Sequence, residues 1–143
     1  MRKARKIVLA EDSPADFQIM KSVFDELSMG LELIHVADGK ELMEYLNQET
    51  LSKIAVVMLD LDMPHINGRE VLDQLYHDDE LKKVPVVVFS AMNNNQTILD
   101  CYDRGANAFV RKPDTAEEMG KSLSAIANFW ADINVLPGYS TRD

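Results

Sequence analysis

Glu11 and Asp12 stand side by side, Asp60 and Asp62 flank a single leucine, Ser90 closes one apolar run, and Arg111-Lys112-Pro113 close another. Carboxylates gathered at one point repel each other, and one protonates unless a cation lies among them. A hard divalent ion with oxygen ligands resolves that conflict, and Mg²⁺ suits one to three carboxylates plus several waters. On the other side of such a site Lys112 would supply a cation and Ser90 a hydroxyl donor. Those are surroundings for an anion, and a phosphoryl group is the natural one. Asp60, between metal and lysine, would then be the nucleophile and accept the phosphoryl as an acyl phosphate.

These residues lie far apart in the chain, so the fold must bring them together. Four segments read as buried strands: Ile7–Ala10, Ala55–Leu59, Val84–Phe89 and Ala108–Val110. They are short, rich in β-branched residues and nearly unbroken in apolar character, as in parallel strands covered on both faces. Leu31–Ala37 reads as a fifth strand, more mixed because of Glu32 and His35, and so nearer an edge.

Helical patterns fill the gaps. Ser13 is placed to cap a first helix with Pro14 at its first position, followed by Phe17, Met20, Phe24 and Leu27 on one face. Asp38 with Glu41, and Asn67 with Glu70, have capping-box spacing. A fourth helix runs from about Gln96 to Arg104 and stops at Gly105. The last starts near Asp114 or Thr115 and carries Met119, Leu123, Ile126, Trp130 and Ile133. A β-α unit repeated five times implies a doubly wound α/β domain, a parallel sheet with helices on both faces. Ligands of such sheets bind beyond the carboxyl ends of the strands, where Glu11, Asp12, Asp60, Asp62, Ser90 and Lys112 all fall.

Length and charge narrow the function. The chain of 143 residues fits one domain, expected over 1–133 with a short tail at 134–143. The 15 basic and 24 acidic residues give a net charge of −9. Arg2, Lys3, Arg5 and Lys6 hold four of the cations, leaving 11 basic against 24 acidic residues after them. Such a body repels phosphate backbones, so no nucleic acid partner is expected. The longest apolar run is Ile54–Leu59, far short of the ~18 residues of a membrane helix, so no membrane partner is expected either. The first residues lack the apolar core of a secretory signal, and Cys101 is the single cysteine. Both suit a cytoplasmic protein.

Glu11-Asp12, the Asp60-Leu61-Asp62-Met63-Pro64 stretch with Gly68, Ser90-Ala91, and Phe109 with Lys112-Pro113 together resemble the receiver domains of two-component response regulators. The spacings agree too: Ser90 lies 30 residues and Lys112 52 residues beyond Asp60. The resemblance covers about residues 6–131. It implies a flavodoxin-like (βα)5 fold with strand order 2-1-3-4-5. It implies that Asp60 receives a phosphoryl group from a sensor histidine kinase or phosphotransfer protein. Asp12, with Glu11 directly or through water, the Asp60 carboxylate and the Asp62 carbonyl would hold Mg²⁺. Lys112 and Ser90 would contact the phosphoryl oxygens, Phe109 would act with Ser90 as the switch, and the Lys112–Pro113 bond would be cis. Asp62 and Met92 would tune the lifetime of the phosphoryl group.

Departures from the family pattern are mild: Glu11 for the commoner Asp, Ser90 for Thr and Phe109 for Tyr. Two other readings compete. A pseudo-receiver would bind partners without phosphorylation, but the complete acidic, hydroxyl and lysine set opposes it. Asp60-Leu61-Asp62 also resembles the paired aspartates of haloacid-dehalogenase-type phosphatases, but Pro64 stands where that motif wants Thr or Val, and Glu11-Asp12 come early. With no output domain after residue 133, output is expected through protein contacts, and the chain looks like the single-domain regulators that partner bacterial phytochrome-type kinases. Phe129-Trp130 and Val135-Leu136-Pro137 suggest a homodimer or partner surface through the last strand and helices. His35, His65 and His77 lack metal-ligand spacing and read as surface or strand residues.

Overall fold

The computed structural model describes residues 5–63, 67–92 and 94–136. In chain order the elements are β1 (Lys6–Ala10), α1 (Pro14–Leu27), β2 (Glu32–Val36), α2 (Gly39–Gln48), β3 (Ile54–Leu59), α3 (Gly68–Tyr76), β4 (Val86–Ser90), α4 (Asn95–Asp103), β5 (Ala108–Arg111) and α5 (Ala116–Ala127). All strand pairs are parallel, in the order β2-β1-β3-β4-β5, the order the resemblance implied. β1, β3 and β4 are the interior strands and are almost fully buried. β2 is an edge strand and is partly exposed, as its mixed composition suggested.

Successive strand residues point to opposite faces, so each interior strand feeds two cores. Val8, Ala10, Val57, Leu59 and Val88 meet Leu42 and Leu46 of α2, Val71, Leu72 and Leu75 of α3, and Cys101 of α4. Ile7, Leu9, Val56, Met58, Val87 and Phe89 meet Met20 and Phe24 of α1 and Met119, Leu123 and Ile126 of α5. Cys101 is therefore a packing residue, wholly buried.

The caps expected at Ser13, Asp38 and Asn67 are present, and Asn94 and Thr115 cap α4 and α5 in the same way. Ser13, Asp38, Asn67, Asn94 and Thr115 each accept a hydrogen bond from the backbone N–H three residues on. Gly105, past the end of α4, takes a φ of 99°, a conformation that penalises any Cβ.

Most boundaries fall within one residue of expectation, and two differ by more. β4 starts at Val86 rather than Val84, because Val84 closes a 3₁₀ turn over Leu81–Lys83 and Pro85 has no N–H to donate to a ladder. The last helix does not continue regularly to Ile133: after Ala127 it widens into a π turn over Asn128–Ile133. There Asn134 N–H donates to the Phe129 carbonyl at 2.7 Å, five residues back. The wider turn carries Ile133 off the buried face, leaving it 59 % exposed, while Trp130 stays packed against the core. Beyond it Leu136 is buried against Ala55 and Ala131. Pro137 and the rest of the expected tail lie outside the described residues, as do Pro64 and His65.

Candidate functional site

Register decides which acids meet. Ala10 of β1 pairs with Leu59 of β3 and with Val36 of β2. The chain continues the ladder one step past both strand ends: Asp60 N–H donates to the Ala10 carbonyl at 3.1 Å, and Glu11 N–H to the Val36 carbonyl at 3.0 Å. Glu11 and Asp60 therefore emerge side by side, 49 positions apart in sequence and adjacent in space. Carboxylate oxygens of Glu11, Asp12 and Asp60 all lie within 4.8 Å of one another. Glu11 and Asp60 are buried, whereas Asp12 is exposed on the open side of the cluster.

Lys112, just past β5, reaches across the strand ends. Its Nζ lies 2.8 Å from Glu11 Oε1, 2.8 Å from Asp16 Oδ2 and 3.4 Å from Asp60 Oδ2. Burial alone would lower the lysine's affinity for its proton. The hydrogen bonds to Asp16 and Glu11 and the charge of Asp60 outweigh burial and raise its pKa above the ordinary value. Glu11 shows the opposite balance. Its burial, with Asp60 beside it, overcomes the pull of Lys112 and pushes its pKa up to about 7. One ammonium among these carboxylates is too little positive charge.

Ser90 ends β4 and is buried, its Oγ accepting the Met92 N–H at 3.2 Å. That leaves its hydroxyl proton free to seek a further acceptor. Phe109 on β5 is half-buried against the α2–α3–α4 core, and its backbone N–H donates to the Tyr102 hydroxyl of α4 at 3.2 Å. Asp62 is exposed and stands apart from the grouped carboxylates, and its N–H donates to Asp60 Oδ1 at 3.3 Å. The described residues contain no cis peptide bond, so the cis Lys112–Pro113 link expected from the resemblance is absent. Lys112 reaches the acids through the ordinary isomer, which X–Pro bonds favour by about 0.5–1 kcal/mol.

Three features escaped the sequence. The first is Asp16, a direct partner of Lys112. It occupies the third position of α1, where an acid commonly reaches back to the cap residue's N–H. Here Glu11 Oε2 takes the Ser13 N–H at 3.1 Å, and Asp16 is free to turn to the lysine. The second is His35, whose ring lies 3.9 Å from that of Phe17 and whose Nε2 sits 2.8 Å from the Glu11 carbonyl oxygen. The third is an ion lattice between α3 and α4, in which Arg69 and Arg104 share Asp100 and Arg104 also meets Asp73.

The donor set is all oxygen, which suits a hard divalent cation rather than a soft transition metal. The cluster, the lysine and the hydroxyl surround one rim of the sheet, as an anion-accepting site requires.

Comparison with known proteins agrees with this geometry. Residues 7–124 match the family model of the response regulator receiver domain. The chain is 31 % identical over 135 residues to response regulator Rcp1 of Synechocystis sp., covering 92 % of both chains. It superposes on the Mn(2+)-bound form of Rcp1 with a TM-score of 0.84 at 30 % identity, over 94 % of this chain and 99 % of the other. On the phosphorylated cyanobacterial phytochrome response regulator RcpA the TM-score is 0.86 at 33 % identity, with the same coverage. The bacteriophytochrome response regulator AtBRR matches at 0.71 and 31 % identity, over 94 % of this chain and all of that one. With its strand order, its acid cluster and its family match over most of its length, the chain belongs to the response regulator receiver family.

Proposed function

We propose that Asp60 is the phosphoacceptor of this receiver, taking a phosphoryl group from a phosphohistidine of a sensor histidine kinase or phosphotransfer protein. One observation carries the reading: a buried carboxylate at the end of β3 stands among Glu11, Asp12 and the Lys112 ammonium. Asp60 Oδ attacks phosphorus, the P–N bond breaks, and the imidazole leaves with the electron pair. Lys112 offsets charge on the phosphoryl oxygens, and the Ser90 hydroxyl donates to one of them. Glu11, Asp12 and the Asp60 carboxylate would hold Mg²⁺, with the Asp62 carbonyl as a further ligand. When bound, the metal supplies positive charge against the incoming oxygens. The relative Rcp1 has been solved with Mn²⁺, which is consistent with a divalent ion in this kind of site.

Phe109 and Ser90 form the switch in this reading. Phe109 lies half-buried on β5, where its packing can change when Ser90 gains a new acceptor. The chain promotes only its own phosphorylation and dephosphorylation. The work is cytoplasmic, where kinases and Mg²⁺ are both available. Phe129, Ile133 and Val135 are exposed around the π turn and offer apolar surface to a second copy or to a downstream protein.

Intact-mass spectrometry after incubation with Mg²⁺ and a small acyl phosphate tests the assignment. Wild type gains one phosphoryl group, Asp60→Asn gains none, and prior chelation of Mg²⁺ abolishes the gain. No adduct on wild type, together with no spectral response to beryllofluoride, would leave a pseudo-receiver. Turnover of a generic phosphomonoester would instead favour the phosphatase reading.

A further inference from the structure

We propose that Asp16 is a positioning residue that holds the Lys112 ammonium and competes with the phosphoryl group for it. The inference rests on Asp60 being the phosphoacceptor and adds a regulator to that site.

An ammonium has three N–H donors and no more. In this structure all three have carboxylate partners: Glu11 and Asp16 at 2.8 Å each and Asp60 at 3.4 Å. The acceptor is the most distant of the three. A phosphoryl oxygen on Asp60 can take over the long Asp60 contact, but drawing Lys112 close to it works against the two partners at 2.8 Å. Glu11 belongs to the group of acids close enough to share a cation, and a cation bound there draws its charge away from the lysine. Asp16 is not in that group. It remains the anion that pulls Lys112 toward α1.

The placement of Asp16 is built in. It sits in the first turn of α1, where the helix terminus favours a carboxylate and the Ser13 side chain holds the Asp16 N–H at 3.2 Å. Glu11 occupies the cap's backbone N–H, which removes the usual local partner of an acid at this position. The side chain is 32 % exposed against 2 % for Glu11, so the Asp16 contact is the one that solvent can most easily replace. It is therefore a contact suited to being exchanged when a phosphoryl oxygen arrives.

Binding of beryllofluoride, a phosphoryl mimic, to full-length protein in Mg²⁺ tests this, read by titration calorimetry or by amide chemical shifts. Asp16→Asn keeps the shape and removes the charge. The expected result is affinity about three- to fivefold tighter than wild type, the size of one partly exposed ion pair. The gain is expected to disappear in a Lys112→Ala background, since the competition acts through that lysine. Affinity equal to or weaker than wild type would overturn the inference, because Asp16 would then support Lys112 rather than compete for it. A gain that persists without Lys112 would also overturn it, pointing to a general field effect. A wild type that fails to bind beryllofluoride would overturn the phosphoacceptor reading itself, so the two failures are distinguishable.

Discussion

Gly68 opens α3, seven residues after Leu61, and the space around it is occupied by backbone. A Cβ there would meet Leu61 Cα at 2.7 Å, the Asp60 carbonyl oxygen at 2.9 Å and Leu61 Cδ2 at 3.0 Å. Two of the three obstacles cannot rotate away. Gly68→Ala therefore has to push the start of α3 off the strand end, or push the strand end aside. Overpacking of this kind costs roughly 1–3 kcal/mol. At this chain length each kcal/mol moves the melting temperature by about 2–4 °C. Ala gains little in return, because position one of a helix draws little on helix propensity. The same shift weakens the Gly68 N–H bond to the Leu61 carbonyl, now 3.2 Å, and moves the backbone that carries Asp60. Urea unfolding should show the loss, and beryllofluoride affinity should fall with it. Gly120, inside α5, is the control. Its Cβ would meet only Val23 Cγ2 at 3.9 Å, an ordinary contact. Gly120→Ala should stabilise by about 0.5–1 kcal/mol. A Gly68→Ala protein as stable as wild type, binding beryllofluoride equally well, would refute the claim that close approach requires this glycine.

Glu49 is held near a pKa of about 2 by Lys6 and by the Thr50 N–H. Its folded pKa lies below the unfolded value, so it contributes stability above about pH 4.5 and loses it as pH falls toward 2. The stability gap between wild type and Glu49→Gln should thus be constant near neutral pH and shrink between pH 4.5 and 2, as followed by denaturant titration at each pH. Gly105→Ala should cost about 1–2 kcal/mol in the same assay, since a side chain at a φ of 99° is strained and also meets the Tyr76 ring. Tyr102→Phe removes the acceptor of the Phe109 N–H; because Tyr102 is 47 % exposed, the loss should stay near 0.5–1 kcal/mol, while hydrogen exchange at the Phe109 amide quickens.

The interior strands were legible because burial on both faces erases alternation, and Ile7–Leu9, Val56–Leu59 and Val86–Phe89 are apolar at every position. The caps were legible because Ser13, Asp38 and Asn67 act on residues only three positions away. Strand order did not follow from periodicity, which says nothing about neighbours; it came with the family resemblance. The ending of α5 was misread because the +4, +3 spacing of Trp130 and Ile133 fits a regular helix, whereas an i→i+5 turn rotates the later residue outward. Asp16 was invisible for a different reason. An acid in the first turn of a helix always has an ordinary explanation in the helix dipole, and only the fold reveals that Lys112 arrives beside it. The α3–α4 pairs of Arg69, Asp73, Asp100 and Arg104 are likewise long-range, and no local pattern announces them.

The charge balance of the site connects these observations. Four carboxylates, those of Glu11, Asp12, Asp16 and Asp60, share a strand-end rim with one ammonium. Lys112 is divided among three of them and lies closest to Glu11 and Asp16, so turning fully toward an anion on Asp60 works against those two contacts. Burial beside Asp60, with almost no water to screen it, pushes the Glu11 pKa up to about 7. That response is what a buried carboxylate does when positive charge is lacking. A site whose purpose were to stay neutral would carry a second lysine or fewer acids. This one keeps an acid excess at the point where a divalent cation can supply what is missing, and it keeps its one lysine divided between the acceptor and a helix. On the proposed reading the excess leaves a place for a cation, and the divided lysine can turn toward phosphoryl oxygens on Asp60.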